Sequence, residues 1–288
     1  MCRLRSISSA IQSAPYPIIS EHPLLCELYK GSIYRGAIDC SEHNSPQAQR
    51  EKFIKETANS HKANAETTYM STTKFRVKGI FFDLDGTIVD SREAYLEAAR
   101  TAFEALGKTP LDDKTALEIP KRLEQRQPLT DIINDSNTKK FLEAYLRTYY
   151  SITPEKTKLI PNAQTALQTL SQKAKLALVT MRFVPQHTIK TELTHFGIAD
   201  NFTHIVTALD THKPKPSPEA LIKTVQAMDV QICDCIMVGD SVTDIQAGKA
   251  AGTKTIAVLT GLFTQTELTK QHPDLILKNV TELPKHIQ

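Results

Sequence analysis

The stretch Lys78-Gly79-Ile80-Phe81-Phe82-Asp83-Leu84-Asp85-Gly86-Thr87-Ile88-Val89-Asp90-Ser91 decides how the rest of the chain is read. Val77 to Phe82 is bulky and apolar enough for a short buried strand. Two carboxylates and a Gly86-Thr87 turn signal follow at once. A central strand that runs into acids is awkward as mere packing, because a buried unpaired carboxylate is very costly. Residues two apart at a strand end project to the same side. Asp83 and Asp85 can therefore face one reacting group, one as nucleophile and the other as proton donor. A calcium loop would need further oxygen ligands and a closing Glu, and Thr87-Ile88-Val89 is too apolar to supply them.

The 288 residues allow one sizeable domain with an insert or appendage. A hydrophobic fraction of 40% with 23% charged residues is ordinary for a globular protein. A net charge of +3 is too mild to argue for nucleic acid as a partner. No apolar run approaches the roughly 18 residues of a membrane span, and Met1 to Ser20 has no uninterrupted apolar core of the kind a signal peptide needs. Cys2, Cys26, Cys40, Cys233 and Cys235 are an odd count without metal-ligand spacing, and read as reduced thiols of a cytoplasmic protein.

Residues 1–70 sustain no helical or strand period, and Pro15, Pro17, Pro23 and Pro46 break what pattern there is. They read as a disordered extension, or as upstream sequence included by a wrong start, with Met70 reading like the natural N-terminus. After the opening stretch, three or four helical patterns follow: Ser91 to Gly107, Ala116 to Gln127, Leu129 to Asn134, and Lys139 to Tyr150, with no strand pattern before Pro161. Beyond Pro161 helices alternate with strands at Lys175–Thr180, His204–Thr207, Cys235–Val238, Thr253–Leu259 and Leu275–Leu277. That alternation implies a parallel sheet covered on both faces. Ligands in such sheets sit beyond the carboxyl ends of the strands, which places Asp83, Thr180 and Asp240 on one rim.

Asp83, Asp85, Gly86, Thr87 and Asp90 together resemble the first motif of the haloacid dehalogenase superfamily. Thr180, ending an apolar run, resembles the second. Lys213-Pro-Lys215-Pro-Ser217-Pro218 resembles the third, and Gly239-Asp240-Ser241-Val242-Thr243-Asp244 the fourth. Asn162 departs from the Gly that many members carry after the proline at this point. The resemblance implies an α/β fold with a Rossmann-like parallel core, from residues 71–91 and 161–288, and a helical cap inserted at 92–160. It implies a phosphatase similar to phosphoglycolate phosphatases, acting on a small phosphorylated metabolite as a monomer or homodimer, away from membranes and nucleic acid. The catalytic set is then Asp83 as nucleophile, Asp85 as acid and base, Thr180 and Lys213, with Lys215 as the fallback lysine. Thr180, Met181, Arg182 and Lys213 would contact the substrate, and Asp83, Asp85, Asp240 and Asp244 would hold Mg²⁺. An alternative is a sugar-phosphate mutase of the β-phosphoglucomutase type. Lys121, Arg122 and Arg126, among few acids, suit a substrate with negative charge beyond its phosphate, against a plain solvated helix face.

Overall fold

The computed structural model describes residues 73–288. The expectation for residues 1–70, and Cys2, Cys26 and Cys40 with it, lies outside them. The opening stretch forms strand β1 (Gly79–Phe82) and, after a turn, the two-residue strand β2 (Val89–Asp90). All four β1 residues are buried, as a central strand of a parallel sheet requires.

Helices α1 (Arg92–Ala105), α2 (Asp113–Glu124) and α3 (Asp135–Lys156) come next. Ala94, Ala98, Ala102 and Phe103 of α1 pack toward Phe141 and Tyr145 of α3, with the Phe103 and Phe141 rings meeting edge to face at 5.2 Å. The helix expected over Leu129 to Asn134 is a turn instead. With apolar residues at Leu129, Ile132 and Ile133 its pattern is helical, but six residues cannot repay helix nucleation on their own. Strand β3 (Lys158–Leu159), also unexpected, pairs antiparallel with β2 and closes the helical insert at its base.

The remaining elements are α4 (Ala163–Ser171), β4 (Lys175–Val179), α5 (Gln186–His195), β5 (Phe202–Val206), α6 (Glu219–Met228), β6 (Cys235–Gly239), α7 (Val242–Ala251), β7 (Lys254–Val258), α8 (Gln265–Thr269) and β8 (Leu275–Leu277). Asn162, before α4, sits at φ 64°. That left-handed backbone is the conformation glycine adopts freely and asparagine tolerates, so the sequence departure is compatible with the turn.

The six strands form one parallel sheet in the order β5-β4-β1-β6-β7-β8. Ile80, Phe82, Leu178 and Val238 turn to one face with Leu167 and Leu170 of α4. Phe81, Val179 and Met237 turn to the other with Leu221 and Val225 of α6. From β1 the chain first builds outward through β4 to β5, then returns to the other side of β1 through β6. The strand order therefore reverses beside β1, and a crevice opens there at the carboxyl ends of β1, β4 and β6. Cys235 is buried at the head of β6 and Cys233 exposed before it, both as free thiols. Among the described residues no helix is long and apolar enough to cross a membrane.

Candidate active site

Asp83 is the first residue beyond β1, its backbone N–H held by the Val238 carbonyl of β6 at 3.0 Å. Asp240 follows β6 directly, and Asp244 lies in the first turn of α7. Carboxylate oxygens of these three buried residues lie within 4.8 Å of one another. Each is there for a local reason. Ser241 caps α7 by accepting from the Asp244 N–H, while the Asp244 carboxylate accepts from the Ser241 N–H and hydroxyl at 3.1 and 2.7 Å. Asp240 accepts from the Thr87 hydroxyl at 3.0 Å. Two glycines leave room for it. Gly86 turns at φ +79°, and a Cβ built on Gly261 would lie only 1.6 Å from an Asp240 carboxylate oxygen.

Lys215 supplies the counter-charge, 2% exposed. Its ammonium donates to Asp83 at 2.6 Å, to Asp244 at 2.6 Å and to the Val179 carbonyl at the end of β4 at 2.9 Å. Three protons meet three acceptors, which is how a buried ammonium avoids its desolvation cost. The sequence reading preferred Lys213. The structure leaves Lys213 exposed and brings Lys215 to the acids instead. The Glu219 carboxylate accepts from the backbone N–H groups of His212 and Lys213, both at 3.0 Å, and anchors the head of the loop at the surface. The chain turns inward only at Pro214 and Lys215, both buried.

Asp85, also expected among the metal ligands, is not one of that cluster. Arg182 grips it bidentately, Nε to Oδ2 at 2.8 Å and Nη2 to Oδ1 at 2.6 Å. Ser91 and Tyr149 also donate to Oδ1. Arg182 was expected on the substrate. It is buried between Asp85 and Glu192 of α5, with its guanidinium 5.7 Å from the centre of the Tyr149 ring. A chain of complementary charges explains this, since a buried guanidinium needs both carboxylates. Thr180 is buried, its hydroxyl accepting from the Arg182 backbone N–H at 3.2 Å, and Met181 lines the cavity above the acids.

The electrostatics separate the acids into two kinds. Burial pushes the Asp83 carboxyl well above the usual range; Lys215 opposes this, and Asp244 and Asp85 reinforce it. Burial also raises Asp240, helped by the neighbouring charges of Asp83, Asp244 and Glu124. Asp85 is buried too, but the Arg182 charge and hydrogen bonds outweigh that and hold it below the ordinary value. Burial alone would lower the Lys215 pKa, and Asp244 and Asp83 more than reverse it. Several close carboxylates with one ammonium among them are short of positive charge, and hard oxygen donors of this kind fit a divalent cation such as Mg²⁺.

The sequence profile of haloacid dehalogenase-like hydrolases matches residues 80–258, which takes in Asp83, Lys215 and Asp244 alike. The chain belongs to that family. It is similar to the phosphoglycolate phosphatase of Aquifex aeolicus, with 30% identity over 209 residues covering 72% of this chain and 94% of that protein. It is similar also to the pyrophosphatase PpaX of Bacillus velezensis, with 29% identity over 218 residues covering 73% and 96%. A solved haloacid dehalogenase-like hydrolase of Streptococcus pneumoniae shares the fold, with TM-score 0.63 at 23% identity over 72% and 96% of the two chains.

In this hydrolase several residues at the site escaped the sequence reading. Glu124, the last residue of α2, reaches the Thr243 hydroxyl beside the acid cluster. Tyr149 of α3 reaches Asp85 at 3.0 Å, and Glu192 holds the far side of Arg182. Thr260 and Gly261, in the loop after β7, accept from Arg92 at 2.7 and 3.0 Å. The loops beyond the strand ends were a usable signal for Thr260 and Gly261. Nothing in the sequence distinguishes Glu124 from any other acid at a helix end. Lys121, Arg122 and Arg126 do not line the cavity. Lys121 pairs with Glu267 at 2.7 Å and lies 5.1 Å over the Phe263 ring, while Arg122 pairs with Asp131.

Proposed function

We propose that this hydrolase is a Mg²⁺-dependent phosphatase that hydrolyses a small phosphate monoester through a phosphorylated Asp83. The observation that carries the reading is the buried cluster of Asp83, Asp240 and Asp244 with Lys215 held between two of its members. The relatives named as phosphatases support it. Asp83 and Asp240 would hold the ion, with Asp244 fixing Lys215 and completing the acidic set. When bound, Mg²⁺ supplies positive charge to the phosphoryl oxygens, so that an anionic nucleophile can approach phosphorus.

In the first step an Asp83 oxygen bonds to phosphorus as the bond from phosphorus to the ester oxygen breaks, and the leaving oxygen takes a proton from Asp85. In the second step water attacks the same phosphorus, Asp85 takes the water's proton, and the bond to Asp83 breaks. Lys215 holds Asp83 in position and offsets charge throughout. The Arg182 pair keeps Asp85 ionised at rest, the form that accepts a proton from water. To serve as acid it must first gain a proton, so poor leaving groups should be cleaved markedly more slowly than good ones.

We assign residues 92–160 as a cap over this chemistry, since Tyr149 and Glu124 reach the core from α3 and α2. A mutase would need hydrogen-bonding walls for a sugar, and the cavity walls are mostly apolar. The test is phosphate release from p-nitrophenyl phosphate with and without Mg²⁺, by the protein and by Asp83→Asn. The expected result is turnover that needs the ion and is lost in the variant. Mg²⁺-dependent turnover by Asp83→Asn at a rate near that of the parent would remove Asp83 as nucleophile.

A further inference from the structure

We propose that the leaving group of the natural substrate is small, uncharged and largely apolar, so that the phosphate is the substrate's only anion. This rests on the phosphatase reading above and concerns the apolar part of the same cavity's lining. That wall is built from Leu123, Leu142, Leu146, Phe183, Phe263 and Tyr145. The cavity holds about 160 Å³ in all, the space beside Asp83 and Asp240 included, so a small leaving group suits it.

A second anionic group would find no counter-charge there. Two cations line the cavity, and both are held by other partners. Arg182 is clamped between Asp85 and Glu192. Arg92 donates to Asp90 and to the carbonyls of Thr260 and Gly261. Against them the lining carries the carboxylates of Asp83, Asp85, Asp90, Glu124 and Asp240. A bound divalent cation and the substrate's own phosphate nearly cancel, so the acids still outweigh the cations around the leaving group. The Tyr145 hydroxyl is buried with no partner among the described residues, and it is neutral. A carboxylate placed against this wall would lose its water without gaining an ion pair. The site thus differs in its demands from one built for an ester whose leaving group carries its own carboxylate.

The test compares benzyl phosphate with 4-carboxybenzyl phosphate, whose leaving alcohols are matched in reactivity, and adds 2-phosphoglycolate, all with Mg²⁺ and the full chain. The expected kcat/KM for benzyl phosphate exceeds that for either carboxylated ester by about tenfold or more. Leu146→Lys places an ammonium on the wall and should narrow the gap between the two benzyl esters by about tenfold. Leu146 is only half-buried, and a melting curve would show that this variant folds. Equal kcat/KM for the two benzyl esters, or a preference for either carboxylated ester, would overturn the inference and leave the phosphatase reading standing. Release of phosphate from none of the three esters, nor from p-nitrophenyl phosphate, would overturn both.

Discussion

At the scale of single residues the site is a set of close, buried charges held at a cost. Asp240 carries that cost most plainly, because its carboxylate is buried near Asp83, Asp244 and Glu124 and its one side-chain hydrogen bond comes from Thr87. Asp240→Asn keeps an oxygen for Thr87 and removes the repulsion. The metal-free variant should therefore melt higher than the metal-free parent, by about 2–4 °C for each kcal/mol relieved, while losing turnover and the Mg²⁺-induced rise in Tm. Thermal melts with and without Mg²⁺ check this; an unchanged Mg²⁺ response would remove Asp240 from the ion's ligands. Gly261 makes the complementary case. Its added Cβ would overlap the Asp240 side chain, so that carboxylate or the loop must shift. Gly261→Ala should lower kcat at least tenfold, a magnitude on the order of that for a misplaced catalytic group. Turnover at the parent's rate would mean that the loop moves aside freely.

The elements show how far a sequence can be read. β1, β4 and β6 were legible because central parallel strands are continuous apolar runs, and the acids that follow β1 and β6 had no packing reason to be there. The choice between Lys213 and Lys215 was not legible. Both lie in one proline-rich loop, and a contact made six residues later, by Glu219, decides which lysine turns inward. Arg182 was equally hidden, since its two carboxylate partners come from the opening stretch and from α5, 97 and 10 positions away. Helix α3 carries Tyr149 to Asp85, and that contact can be probed alone. Tyr149→Phe keeps the ring that stacks on Tyr95 at 5.0 Å and removes only the hydroxyl. It should leave Tm within a few degrees of the parent and change the pH profile. One hydrogen bond that favours the ionised Asp85 is gone, so its pKa rises and the limb reporting it moves to higher pH. A profile identical to the parent's would show that Tyr149 does not bear on Asp85.

Across the whole molecule, ion binding and folding are linked. Asp83 and Asp240 have folded-state values raised above the ordinary 3.8, so the folded chain binds protons more tightly than the unfolded one at these sites. Their contribution is most favourable below that ordinary value and is lost as pH rises through the raised values. Asp85 has the opposite sign, present above 3.8 and lost as pH falls through its depressed value. Between pH 5 and 7 Asp85 is ionised in both states, while Asp83 and Asp240, with Glu124 raised in the same direction by burial, favour the lower pH. The metal-free protein should therefore melt lower at pH 7 than at pH 5. Mg²⁺, binding only the folded chain, should raise Tm at pH 7 and flatten that slope. The parallel sheet and the rim at its strand ends could be inferred from the alternation of patterns, whereas the strand order and the apolar cavity wall could not. It is assembled from α2, α3, the loop after β4 and the loop after β7, which only the folded chain brings together.

In the proposed reaction Asp83 becomes phosphorylated and Asp85 is needed to release it. Rapid mixing of Asp85→Asn with p-nitrophenyl phosphate and Mg²⁺, followed by acid quench and peptide mass measurement, tests this directly. The leaving p-nitrophenolate needs no acid, so the first step should run and the second should stall. The account predicts a burst of one p-nitrophenolate per protein and a phosphoryl group on the peptide bearing Asp83, with neither in Asp83→Asn. Absence of both in Asp85→Asn while the parent turns over, or a burst that persists in Asp83→Asn, would contradict it.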